Sequence, residues 1–330
     1  MPGDNLDSPL CPLGCSSGYI HVLSDWDRDG VVKGRLFHLV QCENCGLVHQ
    51  HPRPTDEEIP GFYPKAYWWA LDLGRTKDRV ILGIRQLLWW DIMAWLERLV
   101  PQRGELLDAG CGSGIFLSVA HRAGFRVLGV EQSEETRTII DRQFGLPVLT
   151  GGIETLDETT RFDVITMFHV LEHLANPLRV LRQLNSRLSE EGLLIVEVPD
   201  IKSWGFRLFG KRWRGLDLPR HITHFSLDTL TTLFDRAGFE PRAIRRFTFR
   251  NAPALLVFSL FPSLIQQTKE SSRSSFVTNL ARMAFQAVLF TIALPVTLLE
   301  TAFGGGEVIL VAVRKRKLAA KPGCLSPAFP

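Results

Sequence analysis

Between residues 105 and 200 the chain alternates short apolar runs with amphipathic stretches, and that rhythm predicts an architecture. Strand-like runs fall at 105–109, 126–131, 147–150, 162–168 and 192–199, with helical spacing at 115–123, 134–144 and 177–188. Strands and helices taking turns at this pitch imply a parallel sheet with helices on both faces. A helix at 227–237 leads to a sixth strand at 239–250, and 307–314 supplies a seventh. The pattern predicts an α/β fold, Rossmann-like and doubly wound, with a mostly parallel seven-stranded sheet.

The flanks differ. Residues 1–55 are rich in Cys, Gly, Asp and His and carry β-like runs such as 35–40, and four prolines mark a linker over 52–67. From 77 to 100, Val80, Ile84, Leu87, Leu88, Met93, Leu96 and Leu99 recur at helical spacing around a polar Asp91, which predicts one helix packed on the next domain. Before the last strand sits an insertion, 253–303. It is apolar over 253–265, polar and Ser-rich over 266–279, then apolar over 280–303 with breaks at Arg282, Gln286, Pro295 and Glu300. The expected organisation is a small module at 1–55, a linker and packing helix at 56–104, a main domain at 105–316 and a tail at 317–330. No repeat appears at solenoid periods.

The 330 residues are 45% apolar and 22% charged, ordinary for a core-forming chain. A net charge of +3 and the lack of a basic groove argue against a nucleic-acid partner. The one basic cluster, Arg314-Lys315-Arg316-Lys317, reads as a solvated tail. Met1–Leu10 lacks the basic start and apolar run of a secretory signal, so a cytoplasmic setting with reduced thiols is expected. There, Cys11-x3-Cys15 and Cys42-x2-Cys45 read as two knuckles of a tetrahedral, structural Zn2+ site. His49 and His51 read as surface or substrate-channel residues, and Cys111 and Cys324 fall outside the set.

The sharpest motif is Asp108-Ala109-Gly110-Cys111-Gly112-Ser113-Gly114, where a buried strand runs through glycines into a helix. Glycines let backbone approach a ligand closely, and Glu131, ending the next strand, offers a carboxylate for two ribose hydroxyls. The third glycine comes one residue too early for the G-x-G-x-x-G of dinucleotide enzymes. On this loop, Glu131 and the strands that follow, the chain resembles the class I S-adenosylmethionine (SAM)-dependent methyltransferases, closely over 105–199 and more loosely to 314. The resemblance implies SAM as cofactor, held by Asp108, Gly110, Gly112, Gly114 and Glu131. Further contacts would come from Gly152 and Ile153 after the third strand and from Met167 and Phe168 ending the fourth. The cysteine-rich front, through Pro52-Arg53-Pro54 to Tyr63 and Tyr67, is similar to the zinc-ribbon module of a subgroup that includes deoxysugar, glycan and natural-product methyltransferases.

Methyl transfer to a hydroxyl is helped by a base, and histidine titrates in the useful range. Two clusters qualify. One is His169-Val170-Leu171-Glu172-His173, which resembles a divalent-ion segment of ubiquinone-type O-methyltransferases but has His169 where that pattern has an acid. The reading taken is that His169 lines the methyl-transfer pocket while Glu172 and His173 are partly structural. The other is 217–226, where His221 or His224 is a candidate base and Ser226 a helix cap. The run 204–213 reads as a packing lid ahead of a binding platform.

The insertion has two readings: a hairpin dipping into one membrane face, aided by the basic cluster after 314, or a pair of core or dimer helices. The expected acceptor is a small molecule, a sugar or glycan, or a lipid-linked molecule, methylated on O or C, with peripheral membrane contact through 253–303 in the last case. The alternatives are a protein or RNA methyltransferase that uses the zinc module for recognition, and a non-catalytic SAM-binding protein. Oligomeric state is not legible.

Overall fold

The computed structural model describes residues 11–16, 18–63, 76–264 and 276–316. Residues 1–10, the 64–67 end of the linker, the 266–275 part of the Ser-rich stretch and the 317–330 tail, with Lys317 and Cys324, lie outside the described residues.

The chain starts with an antiparallel meander, β1 (Tyr19–Trp26), β2 (Leu36–Cys42) and β3 (Val48–Gln50). Two helices follow, α1 (Thr76–Leu87) and α2 (Trp90–Leu99), where the apolar spacing predicts one. The break has a cause. Trp89 turns inward, 7% exposed, against Phe116 and Phe168 at 4.9 and 5.0 Å, while Trp90 stays 52% exposed. α2 packs as expected, through Ile92, Met93 and Leu96, whereas α1 touches the domain through Leu82 and Gln86 and leaves Val80, Ile84 and Leu87 exposed.

Then the alternation begins: β4 (Glu105–Ala109), α3 (Ile115–Arg122), β5 (Arg126–Glu131), α4 (Glu134–Phe144), β6 (Val148–Thr150), β7 (Phe162–Phe168), α5 (Pro177–Arg187) and β8 (Leu188–Pro199). After β8 come α6 (Trp204–Phe209), the two-residue β9 (Thr223–His224), α7 (Leu227–Arg236) and β10 (Phe239–Arg245). The insertion forms α8 (Ala252–Leu260) and α9 (Phe276–Ala302), and β11 (Val308–Lys315) ends the sheet.

The main sheet has the order β10-β11-β8-β7-β4-β5-β6, with β8, β7, β4, β5 and β6 parallel and β11 antiparallel to both its neighbours. This is the Rossmann-like α/β, doubly wound, mostly parallel seven-stranded sheet that the sequence pattern predicts. The strand order reverses between β4 and β7, which opens a crevice at their carboxyl ends. Residues with near-continuous apolar character (Leu194, Val196, Val198, Ile309, Val311) are 0–1% exposed because β8 and β11 are covered on both faces. The sixth predicted strand is shorter than expected: β10 stops at Arg245, and the chain beyond turns inward so that Thr248 is buried.

The N-terminal meander does not stand alone. Its fourth strand is β9, from the far side of the main domain, pairing antiparallel with β3 through Val48↔His224 and His49↔Thr223. Arg220 clamps the junction, 6% exposed, reaching Asp27 at 3.3 Å, Asp29 at 3.2 Å and Asp217 at 3.0 Å. The basic cluster is not a free tail. Arg314 and Lys315 belong to β11 and pair with Glu240 and Glu190, and Arg316 pairs with Asp235. In the 204–213 run, Trp213 is wholly buried and donates its indole N–H to Glu307 at 2.8 Å, whereas Leu208 is 74% exposed.

Candidate functional site

A cleft of about 2500 Å³ lies between the carboxyl edge of the main sheet and the N-terminal meander. That exceeds the roughly 300–1,000 Å³ of a single-ligand site, so it has room for two molecules side by side.

One wall is made by the turns after β4, β5, β6 and β7. Gly110, Gly112, Glu131, Gly152, Ile153, Met167 and Phe168 all line it, as does Asp108. Two glycines show why the loop takes this sequence. Gly110 (φ 77°) leaves no room for a Cβ, which would sit 2.6 Å from Val170 Cγ2. Gly112 (φ 51°) has nothing within 4 Å of where a Cβ would be, so its backbone is open to the cleft. Gly114 does not line the cleft; it caps α3 in left-handed conformation and packs on Ile140. The Glu131 carboxylate accepts from the amides of Gly112 at 3.0 Å and Ser133 at 3.2 Å. Burial pushes Asp108 up to about 7, against the pull of its 2.7 Å bond from the Thr166 hydroxyl.

The other wall is assembled from distant segments, and sequence reasoning missed most of it. Tyr19, Arg35, His51, Arg53 and Tyr63 come from the N-terminal part, and Arg214, Asp217, Arg220 and His221 from the segment before β9. His51 thus fits the substrate-channel reading. His49 does not: it is 1% exposed beneath the junction.

Between the walls, His169 sits at φ 55°, an uncommon backbone for a residue with a side chain, held by its N–H to the Glu197 carbonyl at 2.9 Å. Its protonation can be read from its neighbours. Asn251 lies with Nδ2 2.9 Å from a Glu197 carboxylate oxygen and 2.7 Å from His169 Nε2. Carboxylate oxygens accept, so Nδ2 donates to both, and His169 Nε2 is the bare nitrogen. The proton is then on Nδ1, which donates to Glu172 at 3.1 Å. Burial works to raise the Glu172 carboxyl, but it is held below its ordinary value, first by the His169 hydrogen bond. Glu197 is likewise held ionised against its burial by Arg250, 3.1 Å away, whose guanidinium lies 3.7 Å over the Trp89 ring.

His173 also faces the cleft. Its Nδ1 is 2.9 Å from the Arg220 carbonyl and 3.0 Å from the Tyr63 hydroxyl. A carbonyl only accepts, so Nδ1 carries a proton. His221 reaches the cleft but is 8% exposed; its Nδ1 donates to the Gly215 carbonyl at 2.8 Å, and burial lowers it to about 4. His224, predicted as a second candidate base in that segment, is 4% exposed behind His221, off the cleft wall, and lowered by burial to about 3. Its place is set by the β3–β9 pairing. Ser226 caps α7 as expected. Glu172, His173 and His221 each bring one donor atom within 4.8 Å of the others, and Glu172 Oε2 is buried with no hydrogen-bond partner among the described residues.

The four cysteines converge. Cys11, Cys15, Cys42 and Cys45 place their sulfurs within 4.8 Å of one another, and Cys11 and Cys45 are 3.5 Å apart. Four sulfurs around a tetrahedral zinc at 2.3 Å lie roughly 3.8 Å apart, so the cluster has the size for one. Tight turns support both knuckles, with Gly14 N–H donating to the Cys11 carbonyl and Gly46 N–H to the Cys42 carbonyl. Burial pushes the Cys11 thiol up to about 11 in the absence of a cation.

The doubly wound, mostly parallel seven-stranded sheet, with a glycine turn after its first strand, an acid ending the second and an antiparallel last strand, is a Rossmann-like methyltransferase fold. The family described as a methyltransferase domain matches residues 87–244. The ubiquinone biosynthesis O-methyltransferase of Ruegeria pomeroyi is 31% identical over 228 residues, which cover 61% of this chain and 90% of that protein. The mitochondrial ubiquinone biosynthesis O-methyltransferase of Candida albicans is 34% identical over 206 residues, 56% of this chain and 58% of that protein. Among solved structures, a SAM-dependent methyltransferase from Mesorhizobium loti aligns over 69% of this chain and 98% of its own, with 18% identity and a TM-score of 0.42. The chain belongs to the class I SAM-dependent methyltransferases.

Proposed function

We propose that the enzyme transfers the methyl group of SAM to a hydroxyl of a small-molecule acceptor, with His169 as general base. The cofactor lies along the wall formed by Asp108, Gly110, Gly112, Glu131, Gly152, Ile153, Met167 and Phe168, with Gly114 shaping the turn. Glu131 trades its amide partners for the ribose hydroxyls. The acceptor lies against the N-terminal wall. The names of the relatives favour oxygen as the acceptor atom. Sugar, glycan and lipid-linked acceptors form the second reading, favoured by the polar side chains that the N-terminal part sets on its wall.

One observation carries the choice of base: His169 lines the cleft, with Nδ1 3.1 Å from the Glu172 carboxylate and Nε2 2.7 Å from the Asn251 amide. The acceptor hydroxyl replaces the Asn251 amide at Nε2 and gives up its proton there as oxygen attacks the sulfonium methyl. Glu172 stabilises the imidazolium that forms. SAM supplies the activated methyl; the chain supplies alignment and a proton acceptor. His221 and His224 support the loop behind.

The test is transfer of labelled methyl from SAM into the small-molecule fraction of a lysate. His169→Ala should lower kcat by about 10²–10⁴-fold, with S-adenosylhomocysteine affinity unchanged. A variant within a few-fold of wild type sinks the assignment. Loss of activity on chelation with the fold retained, restored by a divalent ion, would instead give the role to a cation at Glu172, His173 and His221. Cys11, Cys15, Cys42 and Cys45 are proposed to hold a structural Zn2+, which mass spectrometry of the native protein would count at one per chain. Retention of the fold after exhaustive chelation would argue against it.

A further inference from the structure

The helices inserted between β10 and β11 carry an apolar surface that no described residue covers. The 27 residues of α9 run about 40 Å, and both of its long faces are apolar. One face packs on the domain: Ala293, Thr297 and Glu300 are buried, and Phe290 meets Phe258 of α8 at 5.8 Å. The adjoining face carries Phe285, Val288, Ile292, Val296 and Leu299, with Phe303 just past the helix end in line with them, three or four residues apart and 46–74% exposed. Over Ala284–Ala302 the mean hydropathy is 1.6, yet only 17% of that stretch is buried. A core helix of this composition would be mostly covered. The surface continues onto Leu260 and Phe261 at the end of α8 and onto Trp204 of α6, whose ring stacks on Phe303 at 6.2 Å.

The exposed charges described on the helices that carry this face have one sign. Among the described side chains of α6, the turn after it, α8 and α9, the exposed charges are Arg207, Lys211 and Arg212. The one acid, Glu300, is 2% exposed and accepts from the Trp204 amide at 2.6 Å. We infer that this face docks on an anionic lipid surface, with α9 lying in the plane of the interface. A bilayer-crossing α9 would have to leave α8, break the Glu300 tie and carry that carboxylate into hydrocarbon. A twofold contact between copies would bring two clusters of Arg207, Lys211 and Arg212 to one seam, with no exposed acid on these helices to meet them. The inference is independent of which acceptor is methylated.

Flotation of the full chain with vesicles tests it. The protein should rise with vesicles containing phosphatidylglycerol, remain below with phosphatidylcholine alone, and lose binding as salt increases. Ile292→Glu with Val296→Glu should cut recovery at least about tenfold. Lys211→Ala with Arg212→Ala should weaken binding about 30-fold, the product of two surface cations. Both double variants change exposed positions, so melting temperature and S-adenosylhomocysteine affinity should match wild type. Failure of the wild type to float with anionic vesicles overturns the inference, as does equal flotation of both variants. A dimer in vesicle-free buffer that Ile292→Glu splits would give the face to a second copy, and resistance to alkaline carbonate extraction would make α9 a span; either result overturns it.

Discussion

The two walls of the cleft are built on different sequence scales. On the cofactor side, the contacts that shape the site are local or join adjacent parallel strands: Glu131 to Gly112 is a separation of 19 residues, and Glu131 to Ser133 only two. On the acceptor side, Tyr63 meets His173 across 110 residues, Asn251 meets His169 across 82, and Arg220 meets Asp27 across 193. A fold whose first wall is fixed by a strand, a turn and a helix can keep one cofactor while the second wall changes with the segments brought to it. The two walls should therefore be separable by substitution.

The largest expected separation comes at Arg220. Its guanidinium is buried among Asp27, Asp29 and Asp217, and removing it leaves carboxylates desolvated without a cation. Arg220→Ala should destabilise the junction by about 3–5 kcal/mol, seen as early protease cleavage of the N-terminal part and a lower melting temperature. S-adenosylhomocysteine should still bind with affinity near wild type, measured by calorimetry, because no cofactor-side contact passes through Arg220. Parallel loss of both would mean that the walls form one cooperative unit and the contrast is false.

The reverse substitution acts on the cofactor side. If Glu131 holds both ribose hydroxyls, Glu131→Ala removes two charge-assisted hydrogen bonds and should weaken S-adenosylhomocysteine binding about 100-fold, with the β3–β9 junction untouched. Unchanged affinity would show that the carboxylate is spent on the Gly112 and Ser133 amides and never reaches a ligand.

Legibility in the sequence follows the same division. The seven strands, the glycine turn and Glu131 could be read because each depends on periodicity or on spacing within a single strand–turn–helix unit. The four cysteines could be read because two short knuckles need only one chain reversal to meet. Arg250 and Asn251 could not: the predicted strand runs to Arg250 and the sequence pattern marks nothing at Asn251, and what turns them inward is the buried Glu197 carboxylate on β8, 53 and 54 residues away. The single helix expected at 77–100 failed for a related reason. Apolar spacing says that Trp89 belongs on a helix face, but not that an aromatic pocket formed by Phe116 and Phe168 will hold it out of register. His224 carries the same residue type as His169, and only the pairing of β9 with β3 shows that one faces a ligand cleft and the other a core.

The finest test of the contrast uses pH and leaves the chain unaltered. His49, His221 and His224 gather at the junction, and burial lowers them to about 4, 4 and 3, whereas in an opened junction they would return to the ordinary value near 6.5. A group depressed in the closed state favours closure fully above about pH 6.5 and loses that contribution as pH falls toward 4, because the open state then binds more protons. At about pH 5.5 each imidazole should cost the junction about 1 kcal/mol relative to neutrality. Hydrogen-exchange protection factors for the paired backbone of β3 and β9, corrected for the intrinsic pH dependence of exchange, should fall severalfold or more between pH 7 and 5.5. The β4 and β5 amides carry no such histidines and should keep their protection. If β3 and β9 hold theirs as well, the buried imidazoles are reaching partners that keep them neutral in both states, and the acceptor wall is as firmly set as the cofactor wall.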